Sequence, residues 1–284
     1  MRKLIAPSQS NFYRQVAVCS VKTSLTDNPI SVSSDVVKIT AALSHAIGSH
    51  FILFPEYTYS NNLQQLYQDY CNQHKCVIIG GSGLESVGTD YYAYAPVFMP
   101  NQEIIKVYKK NTTPREQMYG VIDYPHDVIR GITIEETLGD FSFSVFVCND
   151  FLVAPSAEHR DISIVFVPQY EGSPQQFMYE GAKISKGMRN FVLGANTSND
   201  NQKSFGFGVL NSTVIKVLTD RGWRRDKYIT SEHEELFYHP SIFYDSSGEK
   251  LFVFKVNINK PSMQFDFTLR RDGPAIIPIK IVTL

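Results

Sequence analysis

The chain has 284 residues, 43% of them hydrophobic and 19% charged, which is length enough for one large α/β domain or two small ones with a substantial core. Its 27 basic and 28 acidic side chains nearly cancel, so no global field favours polyanions and nucleic acid is not an expected partner. The opening MRKLIAPSQSNF has no apolar run of signal-peptide length and nowhere do about 18 apolar residues run uninterrupted, while four irregularly placed cysteines (Cys19, Cys71, Cys76, Cys148) make no disulfide scaffold; the expectation is a soluble, cytoplasmic protein with no membrane partner.

In chain order, QVAVCSV reads as a strand, and Ser34 or Asp35 then caps a helix whose Val36, Val37, Leu43 and Ile47 share a face before Gly48. FILF is a short buried strand. NNLQQLYQDYCNQH carries helical spacing at Leu63, Leu66, Tyr67 and Tyr70, and CVIIGG is another apolar run ended by glycines, so the opening alternates strand and helix as an α/β sheet does. YAYAPVFMP and IIKVYKK predict a hairpin joined at Asn101 and Gln102; GITIEE and FSFSVFVC predict a second strand pair about Gly139 and Asp140. ISIVFVPQ follows as a buried strand, 173–190 as the longest later helix, and FVLGANTS as a strand ending in small polar residues. FGFGVLN adds a strand, and SIFYDSSGEKLFVFKVN reads as a hairpin through Ser247 and Gly248. Without repeats or a low-complexity linker, 1–284 is taken as a single domain, with an insertion at 199–238 and a C-terminal arm at 261–284 that exchanges across a dimer.

Three polar residues stand where apolar strands end, which is where an α/β sheet presents its binding groups: Glu56, Lys110 and Cys148. Pro55 holds the chain extended ahead of Glu56, so its carboxyl group can be desolvated toward general-base range; the bland reading is a cap or salt bridge. Cys148 alone reads equally as an inert buried thiol, but Asn149 and Asp150 break the strand and bring backbone amides toward the sulfur. Lys110 is by the same token half of a solvated Lys109–Lys110 pair. Alternation along IIKVYKK decides between the two lysines only if the strand stays regular.

Taken together and in order, these segments resemble the nitrilase superfamily of carbon–nitrogen hydrolases over residues 14 to 260. The family's Phe-Pro-Glu motif is matched by Phe54, Pro55 and Glu56; its Tyr-x-Lys motif by Tyr108, Lys109 and Lys110, which singles out Lys110; and its Cys-x-Asp motif by Cys148, Asn149 and Asp150. Ala195-Asn196 and the Ser241 to Gly248 stretch are weaker echoes. The resemblance implies an αββα four-layer sandwich in a single domain, commonly assembled as a homodimer or higher homo-oligomer. It implies no cofactor and no metal. It also implies a small amide, carbamoyl or ureido substrate, with nitrile hydrolysis and acyl transfer left open, cleaved through a Cys148 acyl-thioester with Glu56 as base and Lys110 stabilising the tetrahedral anion. Glu116 in TTPREQ is the candidate for the family's second glutamate. Two departures stand against the pattern: the segment after Cys148, NDFLVAPSAEH, lacks the Arg-Phe-Pro-Glu run common there, and 199–238 is long. They motivate a rival reading, a catalytically silent partner or regulatory subunit on the same fold.

Other constellations carry less. Cys71, His74 and Cys76 straddle a helix end and a strand start without a second cluster. The glycines of IIGGSGLE lack the lysine of a phosphate loop, so a tight turn suffices. Arg221, Trp223, Arg224, Arg225 and Lys227 read as an exposed charged loop rather than a phosphate grip, and the seven histidines show no pairing that would suggest a Cys–His hydrolase.

Overall fold

A computed structural model of the chain describes residues 2–3, 13–26, 31–135, 141–154, 162–170, 191–197, 205–207, 242–243, 249–257 and 276–284, with 176, 177, 180, 181 and 184. Two sheets carry the architecture, their strands numbered in chain order. One runs β1 (Arg2–Lys3), β11 (Gly131–Glu135), β12 (Phe141–Val145), β13 (Ile164–Gln169), β14 (Phe191–Asn196), β15 (Phe205–Phe207), β16 (Ile242–Phe243). The other runs β10 (Val121–Ile122), β8 (Asp90–Phe98), β6 (Val77–Ile79), β5 (Phe51–Leu53), β2 (Tyr13–Ser20), β17 (Lys250–Asn257), β18 (Ile276–Thr283), and β7 (Gly83–Val87) and β9 (Ile105–Tyr108) also pair with β8. A small ribbon of β3 (Thr23–Thr26) and β4 (Ser31–Ser34) stands apart.

The apolar runs FIL and VII are continuous because each strand of the second sheet serves two cores at once. Val16, Val18, Phe51, Leu53, Val77 and Ile79 point toward the first sheet, while the intervening Ala17, Cys19, Ile52 and Ile78 point to the helices behind. Between the sheets, the Phe51 ring meets Phe143 at 5.4 Å and Phe166 at 5.3 Å. The outer layer is α1 (Val36–His45) and α2 (Gln64–His74). Asp35 caps α1, accepting from the backbone of Val37 at 2.9 Å and Lys38 at 3.3 Å. The buried face of α1 differs from the one expected: Ile39, Ala42, Leu43 and Ala46 pack inward, whereas Val36, Val37 and Ile47 are exposed. Small alanines let the helix lie close to the sheet, a preference that a search for large apolar residues misses. On α2, Leu63 just ahead of the helix, Tyr67 and Cys71 are buried, with Leu66 and Tyr70 flanking them.

Most of the expected helix 173–190 lies outside the described residues. Phe177 and Ile184 from it are buried in the inter-sheet core cluster, and Phe177 stacks on Phe151 with ring centres 6.5 Å apart. Both expected strand pairs in the middle of the chain form, β8 with β9 and β11 with β12. The hairpin expected over 241–257 does not: β16 pairs with β15 in the first sheet, and β17 with β2 and β18 in the second. The Asp-Ser-Ser-Gly turn signal itself lies outside the described residues. The insertion 199–238 lies outside the described residues except for β15, and the C-terminal segment read as an arm ends as β18, an edge strand paired to β17 of its own chain.

Candidate active site

Glu56 leaves the second sheet just beyond β5. The Phe54 amide still bonds Ile79 O at 3.0 Å, and the Glu56 amide crosses to Gln169 O of the first sheet at 3.1 Å. Tyr57 then takes the left-handed conformation, φ 57°, held by a bond from its amide to Ser82 Oγ at 3.0 Å. Thr58 Oγ1 donates to Pro55 O at 2.6 Å and Thr23 Oγ1 to Glu56 O at 3.2 Å, closing the turn. Gly81, at φ +81°, passes so close that a Cβ there would stand 2.0 Å from Pro55 O. The glycines that read as a plain turn thus shape the loop that presents Glu56.

The lysine facing this carboxylate is Lys109, not Lys110. Along β9 Val107 points inward while Lys106 and Tyr108 point out, and the alternation continues one residue past the strand, burying Lys109 completely. Its Nζ donates to Glu56 Oε1 at 2.9 Å and to Glu116 Oε1 at 2.5 Å. Lys110 points away; what it contributes is its backbone N–H, which donates to the Asp150 carboxylate at 3.0 Å. The motif match singles out Lys110, whereas strand periodicity, continuing one residue past β9, turns Lys109 toward the carboxylate.

Glu116 lies beside Lys109, and its placement has a local cause. Thr113 caps α3 (Pro114–Met118) in a reciprocal box: Glu116 Oε2 accepts from the Thr113 amide at 2.7 Å and its hydroxyl at 2.9 Å. The other carboxylate oxygen is left for Lys109 and for the hydroxyl of Tyr57, which also donates to it.

Cys148 lies three residues past the end of β12, buried, with a left-handed φ of 45° that is unusual for a side chain with a Cβ. Its amide bonds Pro168 O at 2.8 Å and its carbonyl accepts from Phe151 at 3.0 Å at the start of α4 (Asp150–Val153). Three of the amides after the cysteine, those of Asp150, Phe151 and Leu152, each bond a carbonyl of the turn and so do not face an anion. The Tyr170 backbone N–H and the Glu56 carboxyl are instead the groups near enough to the sulfur to bear on its ionisation.

The ionisations follow from burial and these neighbours. Burial pushes the Glu56 carboxyl up to about 7 although the Lys109 charge pulls the other way. Burial, reinforced by Glu56, also raises the Cys148 thiol well above its ordinary value, with Lys109 opposing. For Lys109 burial alone would disfavour the ammonium, but Glu56, Cys148 and Glu116 outweigh it and keep the group charged. Burial likewise works against the Glu116 anion, yet Lys109 and the bonds from Thr113 and Tyr57 hold its carboxyl below the usual range. Two carboxylates bonded to one ammonium are therefore driven apart: Glu116 is the fixed counter-ion, Glu56 the one poised to exchange a proton with a neutral thiol near neutral pH.

Sequence reasoning missed Lys109, Tyr57 and the structural weight of Asp150. Val107 was the available signal for Lys109. For Tyr57 there was none, since its partner Glu116 is distant in the chain. Among the described residues no group of three His, Cys, Asp or Glu side chains is placed to hold a metal; His74 packs on the Tyr70 ring at 4.2 Å.

No protein-family model matches the sequence, and no curated protein matches it. Solved structures do. A CN-hydrolase superfamily protein from Xanthomonas campestris, which carries an arsenic adduct in its active site, aligns over 92% of this chain and 97% of its own with TM-score 0.59 and 12% identity. An amidase from Nesterenkonia sp. AN1, in a variant with acrylamide added at the active-site cysteine, aligns over 69% and 85% with TM-score 0.52 and 12% identity. A double mutant of that amidase in complex with acrylamide aligns over 72% and 86% with TM-score 0.53 and 12% identity. The chain has the fold of these carbon–nitrogen hydrolases, the α/β sandwich that the ordered motifs implied.

Proposed function

We propose that the chain is a carbon–nitrogen hydrolase of the nitrilase superfamily, acting on a small amide, carbamoyl or ureido substrate through an acyl-thioester on Cys148. The observation that supports this is convergence: Lys109 and Glu56, from one sheet, are bonded to each other, and Cys148, from the other, is buried close enough to both for their charges to bear on its thiol.

In this reading Glu56 takes the thiol proton as the sulfur attacks the substrate carbon, and the electron pair of the C=O moves onto oxygen. Lys109 and the Tyr170 N–H stabilise that oxyanion. As the tetrahedral species collapses, the C–N bond breaks and Glu56 returns the proton to the departing amine, leaving a thioester. Glu56 next deprotonates water, whose oxygen attacks the thioester carbon; the C–S bond breaks, and the acid leaves with the thiol restored. Glu116 keeps Lys109 charged and aimed throughout. Lysine at this position stabilises charge without cycling its own proton. A homodimeric assembly and a reducing compartment, which would preserve the thiol, belong to the same proposal.

The test is treatment of the folded protein with fluoroacetamide, an electrophilic amide, followed by peptide mass mapping. The expected result is one adduct on Cys148 that forms at least tenfold more slowly in Glu56→Gln and in Lys109→Met. A Cys148 that stays unmodified in the native protein would point instead to a silent partner subunit on the same fold.

A further inference from the structure

Two residues beyond the nucleophile, the Asp150 carboxylate is almost fully buried and accepts from four donors. The Lys110 amide reaches Oδ1 at 3.1 Å and Oδ2 at 3.0 Å, the Asn111 amide and Nδ2 both reach Oδ1 at 2.8 Å, and Arg130 Nη2 reaches Oδ2 at 3.1 Å. Nothing in the proposed chemistry uses this group, yet it stands in the Cys148 segment and takes three of its four donors from the Lys109 segment, the two whose alignment that chemistry needs. Asp150 stands in the turn that forces Cys148 into its left-handed conformation, its own amide bonded to Val147 O. Lys110 and Asn111 are the two residues that follow Lys109 as the chain leaves β9. Arg130 is the residue just ahead of β11; its carbonyl accepts from the Val145 amide at 3.1 Å, and its guanidinium lies over the Phe146 ring at 5.3 Å.

We infer that Asp150 is a positioning residue that latches the Lys109 segment of one sheet to the Cys148 turn of the other, and so sets the distance between nucleophile and oxyanion-stabilising ammonium. This rests on the reading of Cys148 as nucleophile. The physical case is geometric. The two sheets meet mainly through apolar side chains, which favour contact without fixing sliding or rotation. A carboxylate with four directed donors, one of them a guanidinium, supplies the directional restraint that apolar contact lacks. Backbone amides are two of the four donors, so the restraint acts on the path of the chain at Lys110 and Asn111 and not on a side chain that can rotate away. Misplacing a reacting group by about 1 Å is enough to cost on the order of 100-fold in rate. Asparagine is close in shape to aspartate but exchanges one acceptor for a donor, and either orientation of the amide faces donors with a donor.

The experiment compares full-length native protein with Asp150→Asn in three measurements: thermal melting, deuterium uptake of the peptide spanning 105–118, and the second-order rate of Cys148 alkylation by iodoacetamide from pH 5 to 9, located by peptide mass. The expected outcome is a folded variant with faster exchange in that peptide, alkylation at least tenfold slower at pH 7, and a rate–pH curve displaced upward as the ammonium loses its aim. Faster exchange with alkylation and pH curve within twofold of native would make Asp150 a structural strut only and overturn the inference, while leaving Cys148 as nucleophile intact. A native Cys148 that resists alkylation at every pH would remove the nucleophile reading and the positioning role with it. Should Asp150→Asn not fold, Arg130→Gln, which leaves the carboxylate in place and weakens one arm, takes its place; slower alkylation by at least threefold supports the latch, and a native rate overturns it.

Discussion

At the scale of single residues, the lysine is where sequence and structure part, and the reason is one of parity. A strand turns successive side chains to opposite faces, so adjacent lysines cannot both serve one site. Val107 and Lys109 share the inward face, and Lys110 keeps only its backbone N–H in use. Removing the charge from Lys109 should therefore do what removing it from Lys110 does not. Lys109→Met leaves Glu56 and Glu116 facing each other without their common ammonium. The expected cost is about 3–5 kcal/mol of stability from the uncompensated buried charge and a loss of about 10²–10³-fold in turnover. Lys110→Met should stay within about twofold on amide hydrolysis and within about 0.5 kcal/mol in urea unfolding. Equal losses from both variants would count against the assignment.

The same scale carries a pH prediction. Glu56 titrates at about 7 in the folded chain against an ordinary 4.5, because burial raises it. Between those two values the unfolded chain has released a proton that the folded chain still holds, so stability falls as pH rises through the window. The contribution is fully present below pH 4.5 and lost above pH 7, and the shift corresponds to about 3 kcal/mol. Glu56→Gln removes this titration. Urea unfolding of the two proteins at pH 4.5, 6 and 8 should show the variant gaining on the native protein by about that amount across the series, while its activity is lost. Native activity should rise through an apparent pKa near 7 as the base ionises. A difference between the two stabilities that does not change with pH would contradict the buried, protonated carboxyl.

At the scale of elements, what the sequence made legible was the run of strands and helices, and what it hid was which face each presents. Glu56 and Cys148 drew attention in the sequence as polar residues at the ends of apolar strands, one after a proline and one where the strand breaks, whereas Glu116 was offered by the family resemblance alone and its capping box is visible only in the structure. The hairpin over 241–257 failed because a turn signal states that the chain reverses and says nothing of which sheet receives the next strand. Gly81 shows the same limit. Its neighbours announce a turn after β6, but only the structure shows the turn lying against Pro55 O. Gly81→Ala must move the Pro55–Glu56 backbone, since the clash is with a carbonyl and the φ of +81° is strained for any side chain. The expected cost is about 2 kcal/mol or more, seen as a fall in melting temperature of roughly 4 °C or more, together with at least a tenfold loss of activity as the Glu56 carboxylate is displaced. Native melting and activity in this variant would mean that the Glu56 turn is not built as described.

At the scale of the whole molecule, the sandwich was legible through the order of motifs and the double-sided apolar strands, whereas the closing segment was not. Its apolar end read as an arm, yet an apolar strand and an exchanging arm have the same composition and differ only in where the partner edge lies. The structure supplies an edge: β17, paired with β2 on one side, takes β18 on the other through seven registered pairs from Lys250–Thr283 to Val256–Ile276. The register shifts between Val253 and Phe254, and Pro278 lies beside that irregularity, where a residue without an N–H is tolerated at an edge. The end is further tied down by Leu284, whose amide bonds Glu249 O at 2.9 Å and whose backbone oxygen accepts from Lys38, itself 3.4 Å from Glu249 Oε2. Deleting 276–284 should therefore remove on the order of 4 kcal/mol, from cross-strand pairs contributing about 0.2–1 kcal/mol each, and leave β17 as a long unpaired edge. A lower urea midpoint with growing light scattering at rest is the expected outcome, because an open edge recruits other chains. A deletion variant that unfolds at the native urea concentration and stays monodisperse would show that β18 contributes nothing to the closed sheet.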